Sequence, residues 1–320
     1  MSFPFVQLYF GLGNSLQTAQ GSAGGAASSP TRGVIVGGAA STGNSAVMDY
    51  ITIDTTGNAT NFGDRTIAAP AMYEGVNSQT RGVFAGGMPS GNTDIIDYIT
   101  IATPSNATDF GNLAIATRGC SGVTNQTRGC FAGGYSSLIE NSISYITIDT
   151  PGNATDFGDL LTATYAARGC GDGTTRGIYN GAHSGGTEIS YITIATTGNA
   201  TDFGDFTANI GGNQPAGCVN SDVRAVFAGG SSSSIGMDYI TIATPGNATN
   251  FGDLTLGSNS GMAGVNSITR GVFGGGARPS GTNNQAIEMD YITIATPGNA
   301  TTFGDLTLGR EGVGCCQDGL

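Results

Sequence analysis

The hydrophobic positions of this chain fall into three short segments that return in the same order six times. The first is an arginine followed by a small apolar run that ends on glycines, at Arg32, Arg81, Arg128, Arg176, Arg224 and Arg270. Its clearest copy is Arg81-Gly82-Val83-Phe84-Ala85-Gly86-Gly87. The second is Tyr-Ile-Thr-Ile, opening at Tyr50, Tyr98, Tyr145, Tyr191, Tyr239 and Tyr291. The third is Asn-Ala-Thr-x-Phe-Gly, with its aromatic ring at Phe62, Phe110, Phe157, Phe203, Phe251 and Phe303. Successive phenylalanines are 48, 47, 46, 48 and 52 residues apart. No segment carries a capped apolar period of about 3.6 residues, so no helix is predicted.

Each repeat reads as four strands. The Arg-Gly-Val-Phe-Ala run stops at a glycine pair, which admits positive φ. Tyr-Ile-Thr-Ile is β-branched and aromatic, and suits a pleated strand. Thr-Pro-Gly-Asn or Thr-Thr-Gly-Asn then turns the chain. Ala-Thr-Asp-Phe-Gly-Asp-Leu-Thr makes a third strand. A glycine-rich strand such as Tyr73-Glu74-Gly75-Val76-Asn77 leads into the next arginine. Four strands per unit of this length, with apolar residues on both faces, describe the blade of a β-propeller. Small residues six positions before an arginine (Gly75, Gly122, Cys170, Cys218 and Gly264) fit an innermost strand where blades converge. The predicted fold is all-β: a six-bladed β-propeller over residues 31–320, four antiparallel strands per blade, after an N-terminal extension at 1–30. The tail Arg310 to Cys316 is expected to supply the inner strand of the first blade and close the ring, with Gly21 to Pro30 competing for that place.

The order of glycine-rich strand, apolar strand ending Gly-Gly, tyrosine strand and aromatic strand resembles the kelch repeat. Phe62 and its equivalents stand where kelch repeats usually carry tryptophan. The wording from Asp238 to Leu254 is similar to repeats in virion proteins of marine tailed bacteriophages. The kelch resemblance implies a binding platform. The oxidases of that family need two copper-binding histidines, and this chain has only His183.

Composition narrows the chemistry. There are 55 glycines, no lysine, no tryptophan and a net charge of −12, which disfavours nucleic acid and anionic membrane surfaces as partners. No run is long enough to span a bilayer, and no cationic stretch precedes an apolar run near the start, so no Sec signal is expected. Of the six cysteines, none in a C-x-x-C pair, Cys120, Cys170 and Cys218 recur at similar places as small packing residues rather than ligands, and Cys315 and Cys316 are adjacent. His183, the one residue of the usual general-base type, lies in a glycine-rich loop. No zinc cluster is visible, the Asn-Ala-Thr-Asp-Phe-Gly run lacks the oxygen spacing of a calcium loop, and no cofactor is expected. Paired carboxylates at the ring mouth stay open. The Asn-Ala-Thr triplets at Asn58, Asn106, Asn153, Asn199, Asn247 and Asn299 read as turns whose asparagine accepts local backbone bonds, rather than as glycosylation acceptors. The repeated Asp64, Asp159, Asp205, Asp253 and Asp305 are expected to pair with the repeated arginines.

Strand direction places the loops between apolar and tyrosine strands on one face, where they vary in length and sequence. The opposite face carries near-identical Gly-Asn-Ala-Thr loops. Varied loops on a rigid scaffold signal recognition or drift. Their candidate binding residues are Asn44, Met88, Asn92, Tyr135, Glu140, His183, Glu188, Arg278, Asn283 and Asn284. Residues 1–20 match no repeat, and their cluster from Phe3 to Phe10 is read as a strand packed on the ring or an anchor to a partner. The expected role is non-enzymatic: a phage virion surface or appendage protein, in tail, fibre or capsid, joined to other virion proteins and open to a host glycan or protein. The alternative is a lectin with one sugar site per repeat.

Overall fold

The computed structural model describes residues 32–70, 75–180, 186–208, 210, 216–230, 234–257, 261–277 and 285–318. Among these, the strands form six four-stranded antiparallel sheets and one small hairpin, Ala39–Ala40 with Gly43–Asn44, and there is no helix. From the axis outward, blade one is Gly314–Gln317, Arg32–Val36, Val47–Thr52 and Thr60–Asp64. Blade two is Val76–Asn77, Arg81–Ala85, Thr93–Thr100 and Thr108–Thr117. Blade three is Ser121–Thr124, Arg128–Ala132, Ser142–Thr147 and Thr155–Asp159. Blade four is Gly169–Gly171, Arg176–Asn180, Glu188–Thr193 and Thr201–Asp205. Blade five is Gly217–Asn220, Arg224–Ala228, Gly236–Thr241 and Thr249–Asp253. Blade six is Met262–Asn266, Arg270–Gly275, Glu288–Thr293 and Thr301–Asp305. The protein is a six-bladed β-propeller, and its C-terminal strand closes the ring by pairing Cys316 with Val34 and Cys315 with Ile35. The extension at 1–30 lies outside the described residues.

Apolar side chains collect between blades. The first seam, for example, joins Val34, Val36, Met48 and Phe62 of blade one to Phe84, Ile99 and Ile101 of blade two. Burial of each large aliphatic residue there contributes about 1.5–3 kcal/mol. Within every blade the tyrosine meets the outer-strand phenylalanine edge-to-face, with centroids 6.0–6.2 Å apart.

The innermost strands refine one expectation. Gly122, Cys218 and Gly264 oppose the aromatic residue of the second strand. In blade four that place belongs to Gly169, and Cys170 opposes Ile178 instead. The turn Asp172-Gly173-Thr174-Thr175 is one residue longer than its counterparts, so counting back from Arg176 lands one position off.

The Asn-Ala-Thr-x-Phe-Gly motif is the joint between blades. In all six, the asparagine Oδ1 accepts the N–H of the residue after Phe-Gly in the preceding blade, at 3.0–3.1 Å. The alanine N–H donates to that same residue's carbonyl at 2.8–2.9 Å. The asparagine bonds are therefore long-range, not local as the turn reading supposed. The glycine is required by both φ and space. Gly158 has φ 146°, and a Cβ there would stand 2.5 Å from the Gly198 carbonyl oxygen.

Gly158→Ala is therefore expected to lower stability by about 1–3 kcal/mol. Gly152→Ala, where nothing lies within 4 Å of an added Cβ, should change it by less than about 0.5 kcal/mol. Urea titration of the two variants checks this, and equal midpoints would refute it. A chain cut after Gly312 loses the closing strand and is expected to unfold at lower urea and to bind a hydrophobic dye.

Candidate functional site

The face with near-invariant loops is spent on holding the ring together. Each repeat arginine lies over its own blade's tyrosine, with the guanidinium carbon 4.2–4.6 Å from the ring centroid. Its Nη1 donates to the carbonyl of the isoleucine three residues after the next blade's tyrosine, at 2.6–3.3 Å. The last of these, Arg270 to Ile53, completes the circle.

This corrects the expected arginine–aspartate pairing. Arg32, Arg81, Arg128, Arg176, Arg224 and Arg270 open the second strand, whereas Asp64, Asp159, Asp205, Asp253 and Asp305 end the outer strand at the other face. In blade one Arg32 opposes Thr52, but Asp64 opposes Val47, five residues back along the same strand, or about 17 Å. The aspartates contribute their backbone to the blade joints instead.

The buried carboxylates are Asp49, Asp97, Asp238 and Asp290, on the third strands of blades one, two, five and six. Each accepts a hydroxyl bond from a threonine of the preceding blade, namely Thr307, Thr66, Thr207 and Thr255, at 2.6–2.9 Å. Blades three and four carry Ser144 and Ser190 there, and the preceding blades carry Ala114 and Leu161 in place of threonine. Charge and hydroxyl thus come and go together. Two of these aspartates also hold a fully buried arginine: Arg65–Asp97 and Arg310–Asp49, each 2.8 Å. Removing one partner of such a pair is costlier than the pair is worth.

The axial channel has a cavity of about 50 Å³, walled by glycine, cysteine and a belt of neutral polar residues. In that belt Asn220 N–H donates to Asn266 Oδ1 and Asn266 N–H to Gln317 Oε1, both at 3.0 Å. Asn220 Nδ2 donates to Gly171 O at 2.6 Å, and Thr124 Oγ1 to Asn77 O at 2.7 Å. Among the described residues no carboxylate or histidine lines it.

The six cysteines form no disulfide and are buried. Burial pushes the Cys120 and Cys130 thiols up to about 12, and Cys316 well above its ordinary value. Cys218 donates to Gly169 O at 3.1 Å and Cys315 to Gly264 O at 3.2 Å, as small residues filling the seam between inner strands. These thiols are not poised as nucleophiles. Among the described residues no group of three histidine, cysteine or acidic side chains is placed to hold a metal ion, and no helix is long and apolar enough to cross a membrane.

The varied face brings several sequence candidates together. Asn44 Nδ2 donates to the Met88 and Pro89 carbonyls of the next blade at 3.3 and 2.9 Å. One blade on, Asn92 Nδ2 donates to the Tyr135 carbonyl at 2.8 Å and also to that of Ser136. Glu140 accepts from the Ser136 hydroxyl, and Glu188 accepts from the Thr162 hydroxyl at 2.8 Å. His183, Arg278, Asn283 and Asn284 lie outside the described residues. Two neighbours were missed: Arg118 and Tyr165, both on connectors between blades. Arg118 Nη1 reaches Met88 Sδ at 2.9 Å, and its guanidinium lies 4.7 Å from the Tyr135 ring and 5.8 Å from the Tyr165 ring. Their only sequence signal was a bulky residue within a small-residue connector.

Fold and surface together define a β-propeller with one face sealed by its own repeat and one face of varied chemistry. No protein-family model and no curated protein matches the chain.

The raised thiol values predict a pH dependence. Unfolded cysteines ionise near their ordinary 9.0, while the buried Cys120 and Cys130 stay protonated up to about 12. Their contribution is complete below about pH 9 and is lost as pH rises from there towards about 12. Urea midpoints measured from about pH 8 to about pH 11 should fall, and Cys120→Ala should flatten the slope. A midpoint independent of pH over that range refutes it.

Proposed function

We propose that this propeller is a non-enzymatic recognition or structural module of a phage virion surface, carried on a tail, fibre or capsid. The observation that supports this most is the unequal use of the two faces. On one, the asparagine oxygens, alanine N–H groups and repeat arginines are committed to blade-to-blade bonds. On the other, loops of differing length present Tyr135, Glu140, Glu188 and Leu138, the last 73 % exposed. A rigid ring with one adaptable face is the arrangement of a binding platform. The sequence resemblance supplies the virion context. The net charge of −12 speaks against nucleic acid as the partner.

In this reading residues 1–20 join the propeller to other virion proteins, and the varied face meets a host glycan or protein. The neutral channel belt and the protonated thiols favour binding over turnover. The lectin alternative, one sugar per repeat, rests on the motif whose asparagine oxygen and alanine N–H are already engaged.

Mass spectrometry of purified particles is expected to find the protein, and its absence would end the virion reading. Leu138→Asp is expected to reduce host adsorption at least about tenfold with an unchanged melting temperature, as a central contact residue does. Unchanged adsorption would argue for a purely structural module. A glycan titration that saturates at about six sugars per chain would favour the lectin.

A further inference from the structure

Among the described residues, the ionisable side chains of the varied face are almost all acidic. Asp94, Glu140, Glu188, Glu288 and Glu311 sit in its loops or at the starts of its third strands, and Asp64, Asp159, Asp205, Asp253 and Asp305 ring its outer edge. Of the arginines near it, Arg65 and Arg310 are turned inward onto aspartates, and Arg168 is 1 % exposed. Arg118 differs. It is half-buried at the surface, and among the described residues no carboxylate stands within ion-pair distance of it. Its Nη1 faces only a thioether, Met88 Sδ at 2.9 Å, and Asn92 Oδ1 at 3.5 Å. A thioether is a weak acceptor, so the guanidinium keeps most of its donor capacity.

Arg118 is also held in place. Its N–H and carbonyl exchange bonds with Tyr135 at 3.2 and 2.8 Å. The Tyr135 and Tyr165 rings, 6.2 Å apart and inclined at 73°, both pack beside the guanidinium, at 4.7 and 5.8 Å. At the same step between two other pairs of blades, Glu311 exchanges such bonds with Ala39, and the Pro70 carbonyl accepts from the Met88 N–H. Among the described residues, the basic residue and its aromatic neighbours therefore occur at one place on the ring.

We propose that Arg118, with Tyr135 and Tyr165, binds the carboxylate of an acidic sugar, of the uronic or sialic type, carried on an otherwise neutral glycan. This rests on the reading of the varied face as a recognition surface. A planar guanidinium held beside two rings presents two parallel N–H donors that match a carboxylate. Its order is already established before binding, so little side-chain freedom is lost. Glu140, in the same loop as Tyr135, is an acceptor for sugar hydroxyls and repels the further carboxylates of an acidic peptide. The acidic rim excludes polyanions, which restricts the ligand to one negative charge at this point.

Titrate the full chain with an oligosaccharide ending in a uronic acid, with its methyl ester, and with an acidic peptide. The acid should bind at one site per chain, and the ester at least about tenfold more weakly. Arg118→Gln should reduce the acid to the level of the ester, and Arg118→Lys should fail to restore it, with melting temperatures unchanged. Equal binding of acid and ester, indifference to Arg118→Gln, tighter binding of the peptide, or no binding at all overturns the site. A neutral glycan that binds, is lost in Leu138→Asp and ignores Arg118→Gln would sink this proposal while leaving the recognition surface standing. Adsorption unaffected by Leu138→Asp would sink the surface itself.

Discussion

The outer strand of every blade carries a glycine against which the backbone of the next blade is laid. At Gly63 and Gly158 an added Cβ would stand 2.5 Å from a carbonyl oxygen of that neighbour. The close approach brings the following asparagine and alanine within reach of the preceding strand, where two hydrogen bonds lock the pair. Since the same contact is made six times, the angle between blades is repeated and the circle closes. The tyrosine–phenylalanine contacts and the apolar seams fill space that this approach defines.

Polar groups then bind the ring at several radii. Near the axis, asparagine, glutamine and threonine pass hydrogen bonds from one inner strand to the next. Further out, arginines bridge from one tyrosine to the carbonyls of the following blade. Towards the other face, threonines meet buried aspartates, with Arg65 and Arg310 supplying charge at two joints. A buried carboxylate without a donor is costly. That accounts for the covariation within the chain: where threonine is replaced by Ala114 or Leu161, the facing aspartate is replaced by Ser144 or Ser190.

These commitments divide the surface. The invariant loops have few donors left for a ligand. The varied loops carry less of the ring's load, so they differ in length and host Tyr135, Leu138 and Glu140. The connectors contribute as much as the loops, since Arg118 and Tyr165 come from segments between blades.

Much of this was legible in one dimension. The six repeats, their strand order and the use of the tail as an inner strand follow from spacing and residue type. A period of nearly constant length with β-branched and aromatic runs admits little else. The sequence also separated invariant from varied loops, and so the two faces. It did not disclose which groups meet. Counting from Arg176 misplaced Cys170, because one extra turn residue shifts a register without altering the motif. Matching charges by type joined Arg32 to Asp64, although the pleated sheet sets them at opposite ends. The site at Arg118 was hidden because its partners, Met88, Asn92, Tyr135 and Tyr165, come from the loops of blades two and three and the connector into blade four. Local chemistry, read along the chain, determined the blades. The contacts between blades, and the setting of Arg118 beside Met88 and the Tyr135 and Tyr165 rings, were decided only when the ring closed and brought distant residues side by side.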